Sequence, residues 1–106
     1  MSTFTLINPT TGRAFDEIHR ADVDEVDDAV ARALVAQRSW AALAPLARAD
    51  ALRAFARVVE EHVDELAALE VLNSGHPIGS AQWEANHVAQ VLNYYAGAPE
   101  RLLGAQ

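Results

Sequence analysis

Four histidines have the widest chemical range in this sequence, because imidazole can bind metals or transfer protons near neutral pH. They are His19, His62, His76 and His87. No two of them stand four residues apart with a glutamate between them, which is the helical spacing typical of zinc enzymes. Each is therefore interpreted as a surface or capping side chain. The pattern predicts no metal-binding residue.

A dense carboxylate segment, residues 60–65, contains the groups that general acid–base catalysis uses. Helical spacing scatters these carboxylates around the helix, and no neighbour is evident that would push two pKa values apart. The segment is interpreted as an exposed acidic face. It predicts no catalytic residue.

The serines and glycines do not form a recognisable site either. Ser39, Ser74 and Ser80 lack the strand–turn–helix context of a nucleophile elbow. Gly75 and Gly79 are not followed by the Gly-Lys-Ser/Thr of a phosphate loop, and no G-x-G-x-x-G occurs in the chain. No cofactor-binding residue is predicted.

The composition excludes further classes of chemistry. The chain has no cysteine, so thiolate metal sites, disulfides and cysteine nucleophiles are excluded within its 106 residues. Its net charge of −7 argues against nucleic acid and anionic membranes as partners. The Tyr94–Tyr95 pair is accordingly interpreted as core packing or a subunit contact. No signal peptide and no apolar run of ~20 residues is visible, so a cytoplasmic location is expected.

The N-terminal residues predict a β-hairpin. Residues 3–7 are rich in strand-forming types, residues 8–12 (Asn-Pro-Thr-Thr-Gly) are a dense turn signal, and residues 13–19 supply a second extended piece. A two-stranded hairpin is marginal in water, so it needs a surface to lie against.

The first helix is expected to begin at Asp22, which has capping-box spacing to Glu25. One apolar stripe follows at helical spacing: Val23, Val26, Val30, Ala33 and Leu34. Trp40 is predicted to come after this helix and to anchor it on the core.

Two further helical regions follow. One begins at Pro45 and breaks near residues 60–65, with a new start near Asp64; Gly75 and Pro77 end it. Its predicted buried stripe is Leu52, Phe55, Val59, Val63, Leu66 and Leu69. The last covers residues 78–95 and ends at Gly97 and Pro99. Its predicted buried side is Ala81, Ala85, Val88, Leu92 and Tyr95.

The predicted fold class is mainly α, with an N-terminal hairpin followed by three to four amphipathic helices. The chain is interpreted as a single incomplete domain: residues 1–20 form the hairpin, 21–98 the helices and 99–106 a tail. At this length one domain is the most that the chain can form.

The ordered set of motifs resembles the start of the aldehyde dehydrogenase superfamily. Seven motifs resemble those of the family: the turn at residues 8–12, the first helix at 22–33, Trp40, the Arg-Ala-Asp-Ala-Leu run at 48–52, residues 64–67 with Glu70, the Asn-Ser-Gly-His-Pro turn at 73–77, and the Asn-Tyr-Tyr-Ala-Gly run at 93–97. Each motif is weak alone, but seven in the family's order and spacing cover essentially the whole chain.

The resemblance implies the helical N-terminal part of an NAD(P)-binding domain, in an enzyme that oxidises aldehydes to carboxylates. In that family a cysteine thiolate attacks the aldehyde and NAD or NADP accepts hydride. The family's nucleophilic cysteine and cofactor motifs have no counterpart here. The chain is therefore expected to be a truncated gene product or one piece of a split enzyme, inactive without a chain that supplies the remainder.

Two residues depart from the family pattern. His76 replaces the usual lysine of the turn, and Asn73 replaces an aspartate. In some members that aspartate binds a structural monovalent cation together with backbone carbonyls at the positions of Leu6 and Ile7. Asn73 is a neutral and weaker ligand, so the departure argues against a cation here.

A second reading comes from a different class of function. Amphipathic helices can close on one another as a small bundle, so the chain could be a standalone interaction or oligomerisation module. Such a module would self-associate or bind a full-length paralogue. The discriminating feature is the hairpin of residues 3–19, which a self-sufficient bundle does not need. An independently active enzyme is the least favoured reading.

Overall fold

A computed structural model describes residues 2–101 of the chain. Two strands, β1 (Ser2–Asn8) and β2 (Arg13–Arg20), are followed by four helices and one helical turn. These are α1 (Val23–Ala42), α2 (Pro45–Glu61), α3 (Val63–Ser74), α4 (Ile78–Ala96) and α5 (Ala98–Arg101). The predicted class, a hairpin followed by mostly helical structure, is confirmed. Among the described helices, none combines the length and apolarity needed to cross a membrane.

The hairpin is antiparallel, and its register slips between Leu6 and Ile7. Its turn is closed by the Gly12 N–H, which donates to the Asn8 carbonyl at 2.8 Å, while the Asn8 side chain accepts from the Thr10 N–H at 2.9 Å. Gly12 has a φ of +67°, a conformation that glycine adopts without steric cost. The turn signal in residues 8–12 therefore has the local structure predicted for it.

Helix α1 begins with the predicted capping box. The Glu25 N–H donates to Asp22 Oδ1 at 2.9 Å, and the Asp22 N–H donates to Glu25 Oε2 at 3.0 Å. The helix then continues to Ala42, so Trp40 lies within it and not after it. Trp40 is also 38% exposed, so the prediction that it anchors the helix on the core is wrong for this chain.

The two ends of α2 lie where local sequence signals predict them. Pro45 occupies the first turn of α2, where a missing N–H breaks no helical bond. Arg48 ties α2 back to the end of α1 by donating to the carbonyls of Ala41 (3.2 Å) and Leu43 (3.0 Å). The predicted break falls at His62, which separates α2 from α3. The backbone dihedral angles of His62 are not helical.

Helix α3 ends at Gly75, as predicted, with a left-handed φ of +79°. A Cβ at this position would lie 3.1 Å from Pro9 Cγ and 3.4 Å from Thr10 Oγ1. Gly75 therefore allows the hairpin turn to lie close against the junction of α3 and α4.

The core lies between α2, α3 and α4 and is built from small side chains. Its centre is Ala56, Val59 and Ala89, with Leu92 packed against it. The other buried residues are Ala49, Ala67, Ala81, Ala85 and Ala96. Alanine lets helix backbones approach closely, but each alanine buries little apolar area.

The predicted buried stripes are therefore only partly correct. On α2 and α3, Val59 is buried, whereas Phe55, Leu66 and Leu69 are 56%, 40% and 53% exposed. On α4, Ala81 and Ala85 are buried, but Val88 and Tyr95 are exposed. The helical periodicity is present, but the larger side chains lie beside the alanine contacts, and no element of residues 2–101 covers them.

The end of the described chain also differs from the expected tail. After Gly97, residues 98–101 form the short helix α5 instead of a tail, and Arg101 donates to the Tyr94 carbonyl at 2.7 Å while covering the Tyr94 ring. The rest of the predicted tail, residues 102–106, lies outside the described residues.

The chain is extended for its size. Its radius of gyration is 18.0 Å, against about 13 Å for a compact chain of this length. Its accessible surface is 8186 Å², against roughly 5,800 Å² for a folded monomer of this mass. The helices therefore leave much of their apolar surface uncovered.

Candidate functional site

One uncovered apolar surface of the chain is the stripe on α1. It consists of Val23, Val26, Val30, Ala33 and Leu34, which we call the α1 apolar face. No residue of α1 is buried, and Val30 and Leu34 are 55% and 66% exposed. The opposite side of the helix carries an Asp28–Arg32 ion pair at 3.1 Å, both of whose side chains are at least 70% exposed. Helix α1 thus has an apolar stripe along one face and an ion pair on the opposite side, where Val35 is also exposed.

The entry to α1 is held by His19 at the end of the hairpin. His19 Nε2 lies 2.7 Å from Glu25 Oε2, so the side chain that closes the capping box also joins the hairpin to the helix. The backbone hydrogen bond from Asp22, followed by the hydrogen bond with His19, lowers the pKa of Glu25 below its usual value of 4.5. Hydrogen bonds to the ionised form are the physical cause.

A second cluster of polar groups lies where α3 meets α4. His76 Nδ1 is 3.0 Å from Glu84 Oε2 and 3.7 Å from Glu70 Oε1. All three side chains are a little more than two-fifths exposed. The backbone N–H of His76 donates to Ser74 Oγ at 3.3 Å, and Ser74 Oγ donates to the Glu70 carbonyl at 2.9 Å. The turn itself therefore holds His76 beside the end of α3.

Histidine spacing along a single helix did not predict this cluster, because Glu70, His76 and Glu84 come from a helix, a turn and the next helix. A possible signal was available in the predicted reversal of the chain at Gly75 and Pro77. Such a reversal brings the last turn of one helix close to the first turns of the next.

The other predicted surface histidines have separate local partners. His62 Nδ1 lies 2.7 Å from the Val58 carbonyl, and His87 stacks on Trp83 with ring centroids 4.9 Å apart. The carboxylates of residues 60–65 do not converge on a shared site in the described residues; Asp64 accepts from Gln82 at 3.2 Å, which links α3 to α4.

The residues of the family's cation site are partly brought together. Leu6 and Asn73 line one groove between the hairpin and α3, with Phe15 and Leu69 on its apolar side. Asn73 has a neutral amide where the family has an aspartate, and the carboxylate residues Asp16 and Glu70 line the same groove. The expectation that this departure disfavours a cation stays a prediction.

Comparison with known proteins gives a consistent result. Residues 1–106 match the model of the aldehyde dehydrogenase family. A probable NADP(+) succinate-semialdehyde dehydrogenase of Sinorhizobium fredii (strain NBRC 101917 / NGR234) is 36% identical over 101 residues, which cover 95% of this chain and 21% of that protein.

Solved structures agree in fold. An NAD-dependent benzaldehyde dehydrogenase from Corynebacterium glutamicum superposes with a TM-score of 0.91 at 28% identity, over 98% of this chain and 23% of that one. PnpE in complex with nicotinamide adenine dinucleotide gives 0.92 at 33% identity, over 98% and 22%. The chain therefore spans about a fifth of the length of these relatives, in their N-terminal part.

Proposed function

This chain belongs to the aldehyde dehydrogenase family, and we propose that it forms the helical N-terminal portion of an NAD(P)-dependent enzyme that oxidises an aldehyde to a carboxylate. In this proposal the chain has a structural role. It covers the rest of the enzyme, and the remainder supplies the nucleophile and the dinucleotide fold.

The uncovered α1 apolar face carries the proposal. A helix with a regular apolar stripe and no buried residue leaves several large aliphatic side chains in water, at roughly 25 cal/mol for each Å² of apolar surface. Soluble proteins rarely expose such a face unless something covers it. The remainder of the enzyme is the covering surface that family membership supplies.

The described residues do not by themselves fit a nicotinamide dinucleotide. Dinucleotide folds place the pyrophosphate at a glycine-rich turn that leads from a parallel strand into a helix. Residues 2–101 contain one antiparallel two-stranded sheet, and their positive-φ glycines lie in the hairpin turn and at the end of α3. The chain also lacks the cysteine that the family's covalent chemistry requires. We therefore assign no catalytic or cofactor-contacting role to its residues.

Complementation tests this proposal. The 106-residue chain is mixed with a Sinorhizobium relative from which the matching N-terminal residues have been deleted, and aldehyde-dependent formation of NADPH is followed. We expect the deleted relative to be inactive alone and to recover aldehyde oxidation when the chain is added. A stable complex of the two that forms no NADPH would contradict the proposal.

A standalone interaction module is the competing function, and it predicts a different physical behaviour. A circular dichroism melt with the mass in solution separates the two. A cooperative transition of a monomer or defined oligomer would favour the module. The proposal predicts a helical chain that melts without a cooperative transition or aggregates, because its core holds seven alanines and one valine among the described residues.

A further inference from the structure

The carboxylates and the imidazole at the α3–α4 turn have the composition of a metal site. Glu70, His76 and Glu84 each present one ligand atom, and these three atoms lie within 4.8 Å of one another. Two carboxylates and one neutral imidazole would match the charge of a divalent ion. We propose that these three residues bind a divalent transition-metal ion, with Zn²⁺ the best match, and that the ion links α3 to α4.

The distances suit a small tetrahedral ion. With zinc–ligand bonds of 2.0–2.1 Å, two ligands of a tetrahedral site are about 3.4 Å apart. His76 Nδ1 lies 3.0 Å from the Glu84 oxygen and 3.7 Å from the Glu70 oxygen, values on either side of that separation. The Glu70 and Glu84 side chains are each a little more than two-fifths exposed, and side-chain rotation would bring their oxygens to the same separation. Water would complete the coordination, as in zinc sites with three protein ligands.

The ligand types favour zinc over hard cations. Imidazole is a good ligand for Zn²⁺ and other late transition metals, whereas Mg²⁺ and Ca²⁺ bind through oxygen alone. The turn also limits the freedom of the imidazole, since Ser74 links the His76 backbone to the Glu70 carbonyl and Gly75 sets the left-handed reversal. Glu70 and Glu84 thus lie on either side of a constrained turn, and the turn itself carries His76.

The proposed metal site involves only α3, α4 and their turn, so it does not depend on the proposed function. An ion pair is the competing explanation. A protonated His76 paired with both carboxylates would produce the same contacts without any metal. The test must therefore separate metal binding from an ion pair.

Calorimetric titration of zinc chloride into the 106-residue chain makes that separation. We expect saturable binding of one Zn²⁺ per chain. His76→Lys places a cation between the carboxylates and removes the imidazole lone pair that binds metal, and Glu84→Gln removes one ligand charge. Each should weaken Zn²⁺ binding by at least about 10-fold, the lower end of the loss seen even for residues that only support a ligand.

His87→Gln is the matched control, because it removes a histidine of α4, the helix that carries Glu84, that lies outside the cluster. Its zinc affinity should equal that of the unaltered chain. Proton NMR of the imidazole rings gives a second readout: Zn²⁺ should shift the His76 signals and leave those of His19 and His62 in place. Absence of saturable binding, or equal binding by the His76→Lys variant, would overturn the proposal and leave an ion pair.

Discussion

The two halves of this chain differ in what they bury. Residues 2–42, the hairpin and α1, contain no buried residue, whereas α2, α3 and α4 share a core of alanines around Val59. Both halves have clear helical or strand periodicity. The difference shows that amphipathic pattern marks a face for burial but does not say whether the covering surface lies in the same chain.

The largest expected effect tests the uncovered half. Val30→Asp puts a carboxylate in the middle of the α1 apolar face, where Val30 is 55% exposed. In the chain alone the free energy of unfolding should change by no more than about 0.5 kcal/mol. In the complementation assay NADPH formation should fall by about 100-fold or more, because the covered carboxylate has no partner.

Ser39→Asp is the control for this change. It adds the same charge to α1, on the side away from the apolar face, and Ser39 is exposed. Complementation by this variant should be close to that of the unaltered chain. Equal activity of both aspartate variants would show that the α1 apolar face is not the covered surface, and the contrast between the halves would lose its functional meaning.

The covered half is tested by enlarging its core. Ala89 is fully buried beside Ala56 and Val59, so Ala89→Leu forces α2 and α4 apart. Overpacking of this kind costs about 1–3 kcal/mol, so it should lower the midpoint of a denaturant titration of the helical signal. Ala33→Leu makes the same change on α1 and should leave the unfolding midpoint nearly unchanged. Similar losses at both positions would break the comparison.

The contact between the halves is tested at Gly75. Gly75→Ala places a methyl group 3.1 Å from Pro9 Cγ at a φ of +79°. We expect a loss of about 1–2 kcal/mol in the free energy of unfolding, since a side chain is strained in this conformation. Gly79→Ala lies in α4, where an added Cβ meets nothing within 4 Å, and should stabilise the chain instead. The opposite signs are the diagnostic result.

The smallest effect is the pH dependence that Glu25 contributes. Its pKa is lowered in the folded chain by the Asp22 backbone and by His19. The stability that the ionised Glu25 carboxylate contributes is therefore complete above pH 4.5, the usual pKa of this group. It is lost as the pH falls through the lower pKa that Glu25 has in the folded chain. Acid melts of Glu25→Gln should lose less stability over that range than the unaltered chain. Asp24→Asn, in the same turn, should retain the full loss.

Local signals predicted much of the fold. The capping box of Asp22 and Glu25, the proline at the start of α2, the break at His62 and the left-handed Gly75 each depend on a few neighbouring residues, and each is present. Burial is different, because it depends on elements far away in sequence. The stripe of α1 was therefore identified correctly, while the expectation that Trp40 reaches a core was wrong.

The candidate site shows the same limit. The absence of a cysteine and of a phosphate loop could be read directly from the sequence. The Glu70–His76–Glu84 cluster could not, because its members are six and eight residues apart across a turn and match no single periodicity. Only the close approach of α3 and α4 brings their side chains together.

The alanine core also has a calorimetric consequence. The heat capacity change of unfolding grows with the apolar area exposed, and a typical 100-residue domain gives about 1.2–1.5 kcal/mol/K. This chain buries mainly alanine methyl groups and leaves α1 in water, so its heat capacity change of unfolding should be much smaller. Its free energy of unfolding should therefore vary little with temperature. Association with the remainder of the enzyme should in turn show a large negative heat capacity change, because the valines and leucine of α1 then leave water.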